Sequence, residues 1–283
     1  MSKLIQMRNR IKTIETIRKI TDVMRIISMS AHSRLKTKQE PLDDYLNELK
    51  SLFSKVQLAT PSWKNERLMP TGENNNPLIV VIGSQKGLCG GFNTQISKLV
   101  QSYIAKNPLT RYHFTAIGKK PIDFLINNYP DKLISSFPTL TARNFLTISQ
   151  ELTDMIMTTT PAYTSVTIIS NVFKNFFVQK ATVTKLIPFN PTEVSAHTAA
   201  PTEEYLWDEA PHTILDALAL QYVEAQFQHL IFQSLLAEHA ARFLSMDSST
   251  RNAHNLLNTT KLEYNKVRQA KITTEITELT GNF

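Results

Sequence analysis

Apolar residues recur every three or four positions in the first stretch of the chain, which is the spacing of a helix that buries one face. The pattern runs from residue 1 to about residue 56, and its first ten members are Leu4, Met7, Ile11, Ile14, Ile17, Ile20, Met24, Ile27, Ala31 and Leu35. Two consecutive steps of three follow Ile14, a departure from the heptad that should alter supercoiling locally. Pro41 is expected to kink or end this helix.

The C-terminal stretch shows a stricter alternation of three and four. Its members are Leu215, Leu218, Tyr222, Ala225, His229, Phe232, Leu236, His239, Phe243 and Met246. Pro211 is a suitable helix start, Gly281 is a suitable C-terminal cap, and no glycine or proline lies between them. A single helix here would be about 100 Å long. Two helices joined by a turn at residues 246–253 fit the pattern equally well, because helix propensity is poor there.

A helix of that length needs a partner along its apolar face, and the N-terminal stretch has a matching one. The two would pair antiparallel if the middle of the chain links their near ends. We therefore expect a coiled coil of the N- and C-terminal helices.

The middle of the chain alternates strand-like and helix-like segments. Strands are predicted at 78–82, 112–117, 165–170 and 176–185, and helices at 92–106 and 121–128. Strand, helix, strand order indicates a partly parallel sheet. The predicted organisation is an N-terminal helix at 1–56, a linker at 57–77, an α/β domain at 78–204 and a C-terminal helix at 205–283. The fold class is α/β with long helices.

Charge is concentrated at the start of the chain. The formal net charge is +7, yet residues 1–38 alone carry ten basic and two acidic side chains. A basic helix of this kind suits an acidic protein surface, a nucleic acid or an anionic membrane, or it is a solvated face. It could also suggest an organelle transit peptide, but the helical pattern continues without a break to Pro41. The longest apolar run, residues 78–82, is far too short to span a bilayer.

A glycine-rich segment, Gly83 to Gly91, lies between a predicted strand and a predicted helix, where such loops often hold phosphates. The dinucleotide fingerprint needs glycine at position 85, which is Gln85, and the phosphate-loop motif needs Gly-Lys-Ser/Thr, whereas Lys86 precedes Gly87. We therefore favour a tight structural turn over a phosphate site.

Catalytic and metal chemistry find little support in the residues. Cys89 is the single cysteine and suits a buried structural role. His229, His239 and His254 lie too far apart on a straight helix to share a metal ion. We expect no catalytic residue, no cofactor and no metal, and hence no enzyme.

Several blocks of sequence, in order along nearly the whole chain, resemble the gamma subunit of F-type ATP synthases. They are residues 10–24, 87–93 (Gly-Leu-Cys-Gly-Gly-Phe-Asn), 238–242 (Glu-His-Ala-Ala-Arg), 246–247, 264–270 (Tyr-Asn-Lys-Val-Arg-Gln-Ala), 272–273 and 275–279. The resemblance implies an antiparallel coiled-coil shaft that carries a Rossmann-like α/β domain, with one continuous C-terminal helix.

It also implies a function: a central rotor that couples ion flow through a membrane ring to ATP synthesis or hydrolysis. The implied partners are the α and β subunits, the epsilon subunit and the membrane c-ring. The implied location is the cytoplasmic face of the bacterial cell membrane, to which the chain would bind peripherally. No nucleic acid and no small-molecule substrate are implied.

The resemblance carries over to particular residues. Arg268 and Gln269 match positions that contact an acidic catch on β, and Met24 matches a position near the lower β contact. Tyr205, Asp208 and Glu209 match the region that approaches the membrane ring and epsilon. The alternative for Arg268 is an ordinary solvated side chain, and the alternative for Met24 is plain packing in the seam.

The chain departs from the family pattern at three places. Gln85 replaces an aspartate, residues 26–30 replace an alanine-rich segment, and the chain ends soon after Gly281. Two other functions remain open at this stage: a basic coiled-coil protein that binds nucleic acid, and a small α/β enzyme that binds a nucleotide.

Overall fold

The computed structural model describes residues 3–70, 76–107, 111–191, 194 and 207–281. The elements within these ranges are α1 (Lys3–Lys36), α2 (Gln39–Ala59), β1 (Pro77–Ile82), α3 (Phe92–Lys106), β2 (His113–Ile117), α4 (Lys119–Asn128), a 3₁₀ turn (Pro130–Lys132), β3 (Leu133–Phe137), α5 (Phe145–Thr158), β4 (Ser165–Asn175), β5 (Val178–Ile187) and α6 (Pro211–Gly281). The chain divides into two compact units, Met1–Ser30 with Arg242–Phe283 and Ala31–Ala241.

The larger unit is built on a five-stranded sheet of order β3-β2-β1-β4-β5. The first four strands are parallel, and β5 returns antiparallel to β4. In register, Val80 of β1 lies opposite Thr115 on β2 and opposite Ile168 on β4. The predicted partly parallel sheet is therefore confirmed.

Strand β1 is central and its two faces serve two cores. Leu78, Val80 and Ile82 belong to a large core shared with α2, α5 and the first part of α6. Ile79 and Val81 belong to a second core that packs against α3 and α4. This division follows from the two-residue period of a strand, and burial on both faces explains the unbroken apolar run.

The predicted effect of Pro41 was wrong in detail. Helix α1 already ends at Lys36, and Pro41 is the third residue of α2. The first residues of a helix have no intrahelical acceptor for their amides, so proline is tolerated there. The N-terminal helical stretch is thus two helices.

The segment predicted as a linker packs into the larger core at Trp63 and Leu68, which are both buried. The indole Nε1 of Trp63 and the amide of Asn65 donate hydrogen bonds to Asp216 of α6, at 3.1 and 2.8 Å. The Trp63 ring also packs edge-on against Phe53, at 5.5 Å between centroids. The predicted division of the chain into domains stays a prediction.

Helix α6 is continuous for 71 residues, as the resemblance implied, so the alternative of two helices was wrong. Residues 246–253 are helical despite their low propensity. The hydroxyls of Ser249 and Thr250 donate to the carbonyls of Ser245 and Met246, each at 2.8 Å, so these side chains bond within the helix.

Candidate functional site: the antiparallel helix pair

The smaller unit is a pair of helices formed by the start of α1 and the second half of α6. Ile14, Ala253 and Leu257 form its buried cluster, with Ile11 packed against them. Three polar contacts join the helices: Lys261 to Glu15 at 2.8 Å, Thr250 to Thr21 at 2.9 Å and Arg25 to Asp247 at 3.6 Å. Residue numbers rise along α1 as they fall along α6, so the pair is antiparallel, as predicted.

Contacts within each helix orient the charged groups that meet across the pair. Arg25 donates from Nε and Nη2 to Oδ1 of Asp22 on α1, at 3.2 and 2.8 Å, and Asp247 binds Arg251 on α6 at 2.8 Å. The hydrogen bond from Lys261, followed by the charge of that ammonium, lowers the pKa of Glu15. Because these groups are partly or largely exposed, each pair adds little stability. Their contribution is geometric, since mismatched partners would face one another in any other register.

The apolar seam of α1 differs from the prediction after Ile14. Ile17, Ile20 and Ile27 were predicted to face the partner helix, but they are 48%, 55% and 55% exposed. Thr21 and Ser28 are buried instead, seven residues apart. Their hydroxyls donate to the carbonyls of Arg18 and Met24, at 3.0 and 2.7 Å, so small polar residues are satisfied at seam positions. The heptad thus continues through residues that hydropathy does not mark.

The exposed isoleucines belong to an apolar ridge on α1 that consists of Ile17, Ile20, Val23 and Ile27. All four are exposed and follow one another at steps of three and four. Such spacing places them along one side of the helix. A contiguous apolar strip on a helix that already has one partner indicates a surface for a further protein.

The sequence-predicted contact residues lie at two levels of the pair. Met24 is half-buried near the Thr21 and Thr250 contact, whereas Arg268 and Gln269 are exposed seven and eight residues beyond Lys261. At 1.5 Å per residue, roughly 30 Å of helix separates the level of Met24 from Arg268. The structure therefore does not bring them into one site, and their roles remain predictions.

The residues predicted to contact the membrane ring belong to the other unit. Asp208 and Glu209 are exposed just before α6 begins at Pro211. Tyr205 lies outside the described residues.

A basic groove lies between the two helices. Its volume is about 530 Å³, and its lining residues are Arg18, Lys19, Asp22, Thr250, Arg251, His254 and Asn255. Three of these residues carry a positive charge and one carries a negative charge. The excess of basic residues at the start of the chain was the sequence signal, but the sequence did not show that Arg251 of α6 would join them.

The interior of the glycine-rich loop is filled by its own side chains and by Asn93 of α3. Asn93 accepts a hydrogen bond from the Ser84 amide at 3.1 Å and donates to the Ser84 hydroxyl at 2.7 Å and to Sγ of Cys89 at 3.2 Å. Gly83 packs so tightly that a Cβ there would lie 2.5 Å from Cγ of Pro121. These contacts support the interpretation of the loop as a structural turn, with Cys89 buried inside it.

Among the residues that the structure describes, no group of three or more His, Cys, Asp or Glu side chains could hold a metal ion. No helix of this part of the chain is long and apolar enough to cross a membrane.

Comparison with known proteins identifies the family of this chain. The family described as ATP synthase matches residues 3–283. The ATP synthase gamma chain of Geotalea uraniireducens (strain Rf4) is 30% identical, over 99% of this chain and 97% of that one. The corresponding chain of Chlorobaculum tepidum is 28% identical over the same shares.

Solved structures show the same fold. A chain from the OSCP, F1 and c-ring assembly of Euglena gracilis mitochondrial ATP synthase aligns with a TM-score of 0.68 and 16% identity, over 99% of this chain and 93% of that chain. A chain from the central stalk and c-ring of the Tetrahymena thermophila enzyme aligns with a TM-score of 0.60 and 20% identity, over 81% and 98%.

Proposed function

The chain belongs to the ATP synthase gamma-chain family, and on that premise we propose that it is the rotating central shaft of an F-type ATP synthase. It is a non-catalytic subunit of that complex. Rotation inside a hexamer of α and β subunits would couple ion flow through a membrane ring to ATP synthesis or hydrolysis at the β sites.

The observation that carries the proposal is the antiparallel pair of α1 and α6, in a chain that the family matches over residues 3–283. A shaft must transmit torque, so its helices must not slide along one another. The buried cluster at Ile14 and the polar contacts at Glu15, Thr21 and Arg25 each oppose sliding, because a shift of one turn would separate all of them.

The surface of the helix pair suits partner subunits that surround it and bind it only weakly. The basic groove at Arg18, Lys19 and Arg251 favours acidic loops, and the apolar ridge at Ile17 to Ile27 favours an apolar lining. Exposed ion pairs are weak, so a charged loop can leave one angular position and engage the next. Arg268 would contribute a charge-assisted hydrogen bond to such a loop on β, and Gln269 would lie beside it.

The expected partners are the α, β and epsilon subunits and the c-ring. Asp208, Glu209 and Tyr205 would lie near the epsilon subunit and the c-ring. The chain would bind peripherally to the cytoplasmic face of a bacterial cell membrane. Nucleic-acid binding and nucleotide chemistry, the two functions left open by the sequence, are not favoured. The family match over residues 3–283 argues against both, and the interior of the glycine-rich loop is occupied by Ser84, Cys89 and Asn93.

The experiment is reconstitution with the α and β subunits of the same organism. We expect ATP hydrolysis and a single large complex only when this chain is present, with each component alone as the control. A variant with Arg18, Lys19 and Arg251 changed to Gln should assemble more weakly, whereas changing Lys98, Lys106 and Arg143 of the α/β domain to Gln should not. Full activity without this chain, or no assembly with it, would contradict the proposal.

A further inference from the structure

A polar cavity of about 350 Å³ opens at the edge of the sheet where the parallel strands begin. Its lining residues are Asn76 before β1, Arg111 and His113 at the start of β2, Ile134 on β3, and Thr159, Thr160, Pro161 and Tyr163 before β4. The glycine-rich loop follows the other end of β1, so the cavity lies at the opposite edge of the same sheet.

The lining is rich in hydrogen-bond donors and contains no carboxylate. Arg111 is exposed and forms no ion pair with any described residue. The imidazole of His113 also lines the cavity. A second guanidinium stands at the rim, because Nη1 of Arg67 lies 3.4 Å from the carbonyl of Thr159. Two guanidinium groups and an imidazole, with no carboxylate in the lining, make the cavity suited to an anion.

Arg111 and His113 lie close together at the start of β2. Arg111 lies in the bend before the strand, and His113 is the first residue of the strand. Both line the cavity, and their Cα atoms are at most about 7 Å apart because they are two residues apart in the chain. One small anion between them could accept hydrogen bonds from both.

The remaining lining residues limit what that anion can be. The hydroxyl of Thr160 adds a polar group on the β4 side, whereas the hydroxyl of Thr159 already donates to the carbonyl of Met155. Ile134 and Pro161 close the wall with apolar surface. The amide of Asn76 is already engaged, since its Nδ2 donates to the carbonyl of Pro161 at 3.1 Å. A compact tetrahedral oxyanion fits this set of donors better than an extended acidic peptide, which would need a longer basic surface.

We propose that this cavity binds a phosphate-type oxyanion, with Arg111 and His113 as its two principal donors. The guanidinium supplies two parallel N–H groups that match the spacing of phosphate oxygens. The site is separate from the helix pair and does not rest on the shaft function. A chain that binds phosphate but fails to assemble with α and β would separate the two proposals.

The test is calorimetric titration of the full chain with inorganic phosphate at constant ionic strength. We expect saturable binding at one site, and Arg111→Gln should weaken it by about tenfold or more, the usual effect of losing a charge-assisted hydrogen bond. Arg111→Lys keeps the charge but loses the two parallel N–H groups of the guanidinium, so it should weaken binding less than Arg111→Gln does. His113→Gln should also weaken binding. The matched control is Arg143→Gln, an exposed arginine in the turn before α5, which should leave affinity unchanged.

A parallel titration with ADP distinguishes the source of the oxyanion. If ADP binds more tightly than phosphate and depends equally on Arg111, the site takes the phosphate of a nucleotide; equal or weaker binding of ADP indicates the free anion. No saturable binding of either ligand would overturn the proposal. Equal losses in Arg111→Gln and Arg143→Gln would overturn it too, because they would reveal only a general effect of net charge.

Discussion

At the scale of single residues, two histidines of the larger unit make its stability depend on pH. The ring of His32 packs against Phe173 and Phe176, at 5.2 and 5.0 Å between centroids, and Nδ1 of His229 lies 3.0 Å from Oδ1 of Asp43. Burial lowers the pKa of both histidines below their ordinary 6.5, although Asp43 acts in the opposite direction on His229. The unfolded chain therefore binds protons first as the pH falls.

We predict that the free energy of unfolding falls as the pH drops below 6.5, because the lowered pKa values favour the unfolded state there. Above that pH the contribution is fully present. Urea titrations between pH 7.5 and 5 should show the slope of the free energy of unfolding against pH. This slope should be smaller in His32→Gln and in His229→Gln, but not in His212→Gln, which changes an exposed histidine of the same unit. An unchanged slope in both His32→Gln and His229→Gln would exclude this mechanism.

Arg268 offers a test of function that stability should not confound. Its side chain is exposed, so Arg268→Ala should change the free energy of unfolding by no more than about 0.5 kcal/mol. We expect the ATP-driven rate of the reconstituted complex to fall several-fold, because a charge-assisted contact to β is lost. Lys266→Ala removes a neighbouring exposed charge and is the control. Equal rates in the two variants would remove Arg268 from the coupling mechanism.

At the scale of elements, the turns around the glycine loop depend on one glycine more than on the others. Gly118 precedes α4 with φ of 95° and ψ of 148°, a region that only glycine adopts readily. A Cβ there would lie 2.3 Å from the carbonyl oxygen of Gly83. We expect Gly118→Ala to destabilise the domain by about 3 kcal/mol or more. Gly87→Ala should have little effect, because the nearest atom to its Cβ is 3.9 Å away. Thermal unfolding of the two variants provides the comparison.

The helix pair gives a second test at this scale, since the structure and the hydrophobic pattern disagree about its seam. Ile14 is buried against Ala253 and Leu257, whereas Ile17 is exposed. Ile14→Ala should therefore reduce the stability of the pair by about 2 kcal/mol or more, and Ile17→Ala should change it little. Hydrogen exchange at α6 amides near Leu257 would report the difference. Equal losses of stability in the two variants would indicate that Ile17 also faces α6, as the hydrophobic pattern predicted.

Elements with strong periodicity were predictable from the sequence, and weakly patterned ones were not. Strand β1 and helix α3 lie where their apolar runs placed them, and α3 has the predicted bounds, Phe92–Lys106. Strand β3 was missed because Leu133–Phe137 is short, half-buried and interrupted by serines. Helix α5 was missed because its buried face includes Ser149 and Thr153, whose hydroxyls bond to carbonyls four residues earlier. Hydropathy does not distinguish such polar core residues from surface ones.

At the scale of the whole molecule, the sequence predicted the fold class and the continuous C-terminal helix through its resemblance to a family. Periodicity alone left one helix or two open, and it assigned Ile17, Ile20 and Ile27 to the wrong face. The contact residues at Arg268, Gln269 and Met24 came from the resemblance and not from local physics, since an exposed arginine looks the same with or without a partner. The cavity at Arg111 and His113 was not predicted, because residues from four separate strand ends form it.

The last part of α6 gives the prediction that joins the chain to its complex. Residues 268–280 are all exposed, and they include Ile272, Ile276 and Leu279, which are 47%, 56% and 71% exposed. These three follow helical spacing and share one side, so a surrounding apolar surface could cover them together.

In the free chain, the amides of residues 268–280 should exchange with solvent quickly, because few tertiary contacts protect them. Assembly with α and β should slow their exchange by at least about tenfold, since each covered turn must then open against the partner. The amides of Leu78 to Ile82, already buried in the sheet, should be slow in both states and provide the internal control. Fast exchange at 268–280 in the assembled complex would place this end of the helix outside the hexamer and contradict the shaft arrangement.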